Sequence, residues 1–109
     1  MAKELTVQTL ERGNGPKIGA GSVVVMHYTG RFEDGNRFAS TRDLRTPFDF
    51  TVGADEVIPG LDRGLVGAMG GDRLRLIVPP ELAYGDDGVP DVVPPGATLI
   101  FDIEILSVS

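Results

Sequence analysis

Three stretches of the chain alternate apolar and polar residues with the period of two that is typical of a half-buried β-strand. They are residues 22–28, 73–78 and 99–105, and each contains β-branched residues, which favour strands. In each stretch three apolar or aromatic side chains share one face: Val24, Met26 and Tyr28; Leu74, Leu76 and Val78; and Phe101, Ile103 and Ile105. The alternation predicts antiparallel strands with one face in the core and the other toward solvent.

Three further stretches carry weaker strand signals. Residues 5–10 alternate only weakly, and residues 47–52 form a short β-prone run. Residues 31–38 contain the turn sequence Asp34-Gly35-Asn36, which favours a hairpin. We therefore expect about five strands.

One stretch has helical periodicity. Its apolar residues recur at the spacing of one helix face: Ile58, Leu61, Leu65, Val66 and Met69. Pro59 stands where the first turn of a helix accepts proline. Gly60, Gly64 and Gly67 each weaken the helix by roughly 1 kcal/mol relative to alanine. Since so short a helix is unstable alone, its apolar face must pack on the sheet. The predicted fold is α+β, with one curved antiparallel sheet and one short α-helix.

Residues 79–98 are the longest stretch without a strand or helix pattern. They contain five of the eight prolines and separate two of the clearest strands. Long irregular loops inside a compact domain usually have a function. We expect this loop to contribute to a site.

Composition narrows the possible functions. A length of 109 residues suits one domain spanning 1–109, and the net charge of −6 disfavours binding to nucleic acid or an anionic membrane. The chain has no Cys and a single His, His27, which excludes thiolate and multi-histidine metal sites. No apolar run is long enough for a spanning helix, and the N-terminus does not resemble a signal peptide. We therefore expect a cytoplasmic protein.

Three candidate sites have weak sequence support. The paired glycines at 13–15 and 19–21 lack the strand, helix and Lys context of a phosphate-binding loop. Asp86, Asp87 and Asp91 could bind calcium, but their spacing lacks the distal Glu of a calcium loop. His27 could act as a general base, although a histidine within a strand is more often structural. We expect none of these to be the functional site.

The aromatic residues are few and lie in informative places. Tyr28 ends a predicted strand, Phe38 and Phe48 flank an Arg-containing segment, and Tyr84 lies in the long loop. They could be ordinary core residues. Alternatively, they could form an apolar cleft with one or two polar groups, which suits a prolyl peptide.

Several motifs in a fixed order favour the second interpretation. They are Met26-His-Tyr-Thr-Gly30, Glu33-Asp-Gly35, Ser40-Thr-Arg42, Pro47-Phe48, Glu56-Val-Ile58 with Gly60, Pro-Glu-Leu-Ala-Tyr-Gly at 80–85, and Val93-Pro-Pro95 followed by Phe101-Asp102. With these motifs the chain resembles the FKBP family of peptidyl-prolyl cis-trans isomerases, from about Gly21 to the last predicted strand. The resemblance implies a half-barrel of antiparallel sheet wrapped around the short α-helix. It also implies a substrate pocket between the helix and the sheet, floored by the helix and overhung by the long loop.

The resemblance also implies roles for individual residues. The catalytic residues would be Tyr28, Phe38, Tyr84 and Phe101. The substrate-binding residues would be Phe48, Glu56, Val57, Ile58, Leu61, Val89, Val92 and Val93. In the family, groups matching the Ile58 amide and the Tyr84 hydroxyl bind ligand carbonyls. No metal and no cofactor is expected.

Three positions depart from the family pattern. Ala39 stands where the family usually has Asp, and Leu44 stands where an Arg usually pairs with that Asp. Leu61 replaces a common Trp at the pocket floor. Joint loss of a charge pair is milder than loss of one partner. We expect weakened isomerase activity.

The implied function is isomerisation of X–Pro bonds in peptides and unfolded protein clients by a cytoplasmic monomer. Macrolides such as tacrolimus or rapamycin are the expected pocket ligands. The alternative is a non-catalytic, chaperone-like module that uses the same groove to hold peptides. The sequence would also suit a domain excised from a longer protein.

Overall fold

The computed structural model describes residues 4–41 and 45–109. Within these ranges the chain forms six strands and one short α-helix. Their bounds are β1 Thr6–Glu11, β2 Val23–Phe32, β3 Arg37–Ser40, β4 Phe48–Thr51, α1 Pro59–Gly64, β5 Arg73–Val78 and β6 Leu99–Val108. The α+β fold with an antiparallel sheet is therefore confirmed.

The sheet is antiparallel throughout, with the order β1-β5-β6-β2-β3, while β4 pairs with the first half of β2. The central pair is formed by β2 and β6, which run together from Val24 opposite Val108 to Phe32 opposite Leu99. β2 also pairs with β4 through its first half and with β3 through its second half, so β3 and β4 share the edge of β2 that faces away from β6.

The structure contains six strands where the sequence predicted about five. The stretch 31–38 is divided between β2 and β3 by the predicted turn, in which Phe32 N–H donates to the Asn36 carbonyl at 2.9 Å. Gly35 has a φ of 91°, a left-handed conformation that glycine adopts easily. One predicted segment thus supplies parts of two strands.

The alternating faces are confirmed in the three strongest strands. Leu74, Leu76 and Val78 are buried, whereas Arg73 and Arg75 on the other face are exposed. In β6 the same face buries Phe101, Ile103 and Ile105, and in β2 it buries Val24 and Met26. These eight side chains form the sheet side of the core.

The helix is shorter than its apolar pattern predicted. α1 begins at Pro59, as expected, but ends at Gly64, so Val66 and Met69 lie outside it. Val66 is exposed, and the Gly67 N–H donates to the Ile18 carbonyl at 2.9 Å rather than to a helical acceptor. Within the described ranges, no helix is long and apolar enough to cross a bilayer.

Residues 79–98 form the predicted irregular loop, with two short ordered features. A single 3₁₀ turn covers Pro80–Leu82, and an isolated antiparallel bridge joins Val89 to Val93. The loop leaves the end of β5 and returns to the start of β6, so it lies beside the same end of the sheet as α1.

Candidate active site

A pocket of about 350 Å³ is lined by side chains from the sheet, from α1 and from loop 79–98. This volume lies in the range of small-molecule sites. All the residues predicted from sequence to be catalytic or substrate-binding line it, together with Ala39: Tyr28, Phe38, Ala39, Phe48, Glu56, Val57, Ile58, Leu61, Tyr84, Val89, Val92, Val93 and Phe101. The structure therefore brings the predicted set together, and the role of each residue stays a prediction.

Four aromatic rings form the apolar wall. Tyr28 on β2 meets Phe48 on β4 at 5.8 Å and Phe101 on β6 at 6.0 Å, both edge to face. Phe101 in turn meets Phe38 on β3 edge to face at 5.9 Å. Edge-to-face contacts between rings are favourable, so the four strands hold the rings in a fixed arrangement.

A glycine on β2 makes room for one of these rings. A Cβ atom at Gly30 would lie 2.6 Å from the tip of the Phe38 ring, so only a residue without a side chain fits there. Phe32 stacks on the other side of Phe38, with the ring centroids 4.9 Å apart. The Phe38 ring therefore packs against both the strand and a second ring.

The helix supplies the floor and a backbone donor. Leu61 is only 6% exposed, in line with its predicted place at the pocket floor. The Ile58 carbonyl accepts the first helical hydrogen bonds, from Leu61 N–H at 3.0 Å and Asp62 N–H at 3.2 Å. Within residues 4–41 and 45–109, the Ile58 N–H has no acceptor. It is available to a ligand in the pocket.

The rim of the pocket carries a second donor, the hydroxyl of Tyr84. Tyr84 is 41% exposed, and its hydroxyl forms no hydrogen bond with the described part of the chain. Its backbone is fixed, because the Tyr84 carbonyl accepts from Gly88 N–H at 3.0 Å. The base of the loop is closed by a 2.9 Å bond from Gly96 N–H to the Gly85 carbonyl.

The electrostatics of the pocket are simple. Among the lining residues that the structure describes, Glu56 is the only one with an acidic or basic side chain, and its carboxylate accepts from Thr51 N–H at 3.0 Å. Burial raises the pKa of the Tyr28 hydroxyl above its ordinary value of 10.0, and the nearby phenol of Tyr84 raises it further. Tyr28 is therefore neutral at physiological pH and keeps its hydroxyl proton.

Ala39 is the lining residue that the sequence did not assign to the site. It follows Phe38 on β3 and is half-buried. Its position as the substitute for a family Asp was the signal that could have placed it in the pocket. Leu44, the other half of the lost charge pair, lies outside the described residues.

The remaining candidates lie elsewhere. His27 does not line the pocket, and its Nδ1 lies 3.0 Å from the Thr41 hydroxyl oxygen, which also accepts from Tyr28 N–H at 2.9 Å. In the described part of the chain, no three His, Asp or Glu side chains are grouped so that they could hold a metal ion. Apart from Glu56, the described pocket offers a ligand apolar walls and two neutral donors.

Comparisons with known proteins give independent evidence for the family. The family model for FKBP-type peptidyl-prolyl cis-trans isomerases matches residues 15–106. "FK506-binding protein 1" of Debaryomyces hansenii is 44% identical over 106 residues, covering 94% of this chain and 93% of that protein. "Peptidyl-prolyl cis-trans isomerase FKBP2" of Mus musculus is 46% identical over 88 residues, or 81% of this chain. The match spans 63% of the Mus musculus protein, less than two thirds of its length.

The solved structures agree with these sequence matches. The crystal structure of AtFKBP13 superposes with a TM-score of 0.90 at 34% identity, covering 96% of this chain and 93% of that one. The fold, the order of the motifs and the aromatic pocket thus coincide with the family match, and the chain belongs to the FKBP-type peptidyl-prolyl cis-trans isomerase family.

Proposed function

We propose that this chain catalyses cis-trans isomerisation of X–Pro peptide bonds in the aromatic pocket. The observation that carries the proposal is the pairing of an apolar cavity with two unused donors, the Ile58 N–H and the Tyr84 hydroxyl. A prolyl peptide has matching groups, since its ring is apolar and its flanking carbonyls accept hydrogen bonds.

The chemistry needs no nucleophile. Rotation about a peptide bond has a barrier of about 18–20 kcal/mol because amide resonance is lost when the bond twists. A twisted amide is less polar than a planar one, so it is favoured in an environment that excludes water. A pocket that binds the twisted form more tightly than the planar forms lowers the barrier, by about 1.4 kcal/mol for each tenfold gain in rate.

Each part of the pocket has a role in this scheme. Phe101 and Leu61, which are almost fully buried, contact the proline ring and exclude water. The Ile58 N–H, just before α1, and the Tyr84 hydroxyl, in loop 79–98, hold the substrate carbonyls while the X–Pro bond rotates. Because both donors are neutral, they fix the substrate without requiring any proton transfer.

The activity is expected to be weaker than is usual for the family. Ala39 provides no carboxylate in the pocket, and a charge-assisted hydrogen bond is worth about 1.5–3 kcal/mol. Its absence would slow turnover by roughly 10- to 100-fold and leave the apolar walls in place.

The finer aspects of the function are also proposals. We propose that tacrolimus or rapamycin occupies the pocket, supported by the name of the Debaryomyces hansenii relative, which is an FK506-binding protein. Action on unfolded clients as a cytoplasmic monomer follows from the family resemblance and from the composition. Sedimentation would test whether the chain is a monomer, and competition with rapamycin would test the proposed pocket ligand.

A prolyl exchange assay tests the main proposal. The chain should accelerate cis-trans exchange of a short X–Pro peptide, rapamycin should inhibit it, and Tyr84→Phe should lower kcat/KM by about tenfold through loss of one hydrogen bond. Val66→Ala, outside the pocket, is the matched control. Absence of acceleration at high protein concentration would reject catalysis.

The second candidate is a non-catalytic peptide-binding module, and the observation that favours it is Ala39. The pocket is preserved, and Tyr84 and Val92 at its rim are 41% and 50% exposed. Such a module would bind proline peptides and suppress aggregation of unfolded clients without altering the rate of exchange. Binding with no acceleration would therefore identify this alternative.

A further inference from the structure

A second apolar groove runs along the outside of loop 79–98. We call it the loop groove, and its volume is about 350 Å³. It is lined by Asp87, Val89, Pro90, Asp91, Val92, Val93, Pro94 and Pro95. Three of these residues, Val89, Val92 and Val93, also line the prolyl pocket. The loop groove therefore lies next to the pocket, and the short segment 89–93 contributes side chains to both.

The groove is built before anything binds. Val89 and Val93 exchange two backbone hydrogen bonds, both 2.8 Å long, and the Val92 N–H donates to the Val89 carbonyl at 3.0 Å. A Cβ atom at Gly88 would lie 2.3 Å from the Val93 carbonyl oxygen, which shows how closely the two arms of the turn approach. A ligand would therefore not have to order the loop, which favours binding.

The charges in the groove all have the same sign. Asp87 and Asp91 are its only ionised residues, and both are exposed. Within the described ranges neither forms an ion pair, and the whole of loop 79–98 contains Glu81 and three Asp but no Lys or Arg. The neighbouring pocket adds one more carboxylate, Glu56.

An extended peptide whose proline fills the pocket must pass over the pocket rim, and Val92 at this rim is half exposed. Apolar side chains of the peptide would cover Val92 and the prolines of the groove. Cationic side chains would lie near Asp87 and Asp91, where an anionic peptide would be repelled.

We propose that the loop groove binds the chain next to the substrate proline and selects apolar segments that carry Lys or Arg. This inference rests on the proposed function, because it names the substrate class of the same site. Asp87 and Asp91 are then specificity-determining residues, which act on the flanking chain and not on the rotating bond.

Two series of X–Pro peptides test the proposal. Each series consists of pairs of peptides that are identical except at two positions, two and three residues from the proline, where one member has Lys and the other has Glu. These positions precede the proline in one series and follow it in the other. At low salt we expect kcat/KM to favour the Lys peptide by about fivefold in at least one series, as is usual for exposed charge pairs. The preference should shrink at about 0.5 M salt.

Two variants distinguish an effect of the carboxylates in the groove from an effect of the total charge of the loop. Asp87→Asn with Asp91→Asn should bring the Lys-to-Glu ratio close to one; Asn suits position 91 because it tolerates the φ of 62° found there. Glu81→Gln removes one charge from the same loop outside the groove and should leave the ratio unchanged.

Binding of the same peptides, measured by NMR titration, distinguishes failure of the proposed catalysis from failure of the proposed peptide selection by the groove. If no peptide is isomerised but the Lys peptides bind more tightly, catalysis fails and the groove assignment stands. A ratio near one in both series, a ratio insensitive to the double substitution, or no binding at all would overturn it.

Discussion

Gly60 of α1 lies directly against Val78 of β5. A Cβ atom at Gly60 would come within 2.3 Å of Val78 Cγ1, and Val78 is fully buried. The helix can therefore approach the sheet this closely only because position 60 has no side chain. This contact sets the depth of the pocket floor, since Leu61 follows Gly60 directly.

Gly60→Ala should destabilise the protein although alanine favours helices. The helical gain is about 1 kcal/mol, whereas overpacking of a core typically costs about 1–3 kcal/mol. We expect a net loss of up to about 2 kcal/mol in the free energy of unfolding, measured by urea denaturation. Gly19→Ala is the control, since a Cβ there meets no atom within 4 Å and no positive φ strains it. An unchanged midpoint for Gly60→Ala would contradict the close packing.

The same glycines show how far the sequence could predict the helix. The sequence predicts that Gly60 and Gly64 weaken the helix, but their packing role appears only in three dimensions, where Gly64 faces Leu76 as Gly60 faces Val78. The early end of the helix was not predictable from periodicity. It depends on the bond from Gly67 N–H to the Ile18 carbonyl, a contact across the fold that a local pattern does not contain.

Sheet and site were predictable for different reasons. Stretches 73–78 and 99–105 each have one buried and one solvent-facing side, so the alternation of apolar and polar residues directly shows which side chains lie in the core. The pocket residues have no common period, because they come from four strands, a helix and two loops, residues 52–58 and 79–98. Only the resemblance to a family gathered them, and it left out Ala39 because that residue departs from the family pattern.

Asp72 is a fully buried carboxylate that holds the N-terminal segment to the loop before β5. It accepts hydrogen bonds from Gly13 N–H at 2.6 Å and from Met69 N–H at 3.0 Å. Asp72→Ala leaves both donors without an acceptor, at a cost of about 1–3 kcal/mol for each unsatisfied group. We expect a fall of about 2–4 kcal/mol in the free energy of unfolding.

Chemical denaturation measures this loss. Asp55→Ala would be a poor control, because Asp55 has a positive φ that alanine rarely adopts. Asp86→Asn, an exposed carboxylate in loop 79–98, is suitable and should change stability by less than about 0.5 kcal/mol. Similar midpoints for Asp72→Ala and Asp86→Asn would show that the two backbone donors do not need the carboxylate.

The raised pKa of Tyr28 makes the stability of the folded protein depend on pH in the alkaline range. Its pKa in the folded protein is raised above 10.0, chiefly by burial and further by Tyr84, so the folded state holds the phenolic proton more tightly than the unfolded state. The resulting stability is fully present below pH 10 and is lost as the pH rises through the folded pKa. Wild-type protein should therefore lose stability above pH 10 more steeply than Tyr28→Phe.

Tyrosinate absorbance provides the direct measurement. Titration of the folded protein should show a phenol that ionises above the ordinary tyrosine range, and Tyr28→Phe should remove that step. Tyr84→Phe is the control and should retain it. If the step that Tyr28→Phe removes lies at or below pH 10, the desolvated environment of Tyr28 is contradicted.

Ala39 offers a gain-of-function test of the pocket. Its side chain lines the cavity next to Phe38, so Ala39→Asp places a carboxylate beside the substrate. Alone, this half-buried charge lacks a partner and should destabilise the fold. Together with Leu44→Arg, which supplies the cation found in the family, it should raise kcat/KM for an X–Pro peptide by about 10- to 100-fold.

The double variant is compared with Leu44→Arg alone, which adds the cation without the carboxylate and should not raise turnover. Rapamycin affinity and the unfolding midpoint, measured on all three variants, separate an effect on catalysis from a change in pocket shape or stability. Because the apolar walls are already in place, a restored charge pair that leaves kcat/KM unchanged would show that the carboxylate is not what limits the rate. The reduced activity that we propose would then be assigned to the floor, where Leu61 stands in place of the larger side chain common in the family.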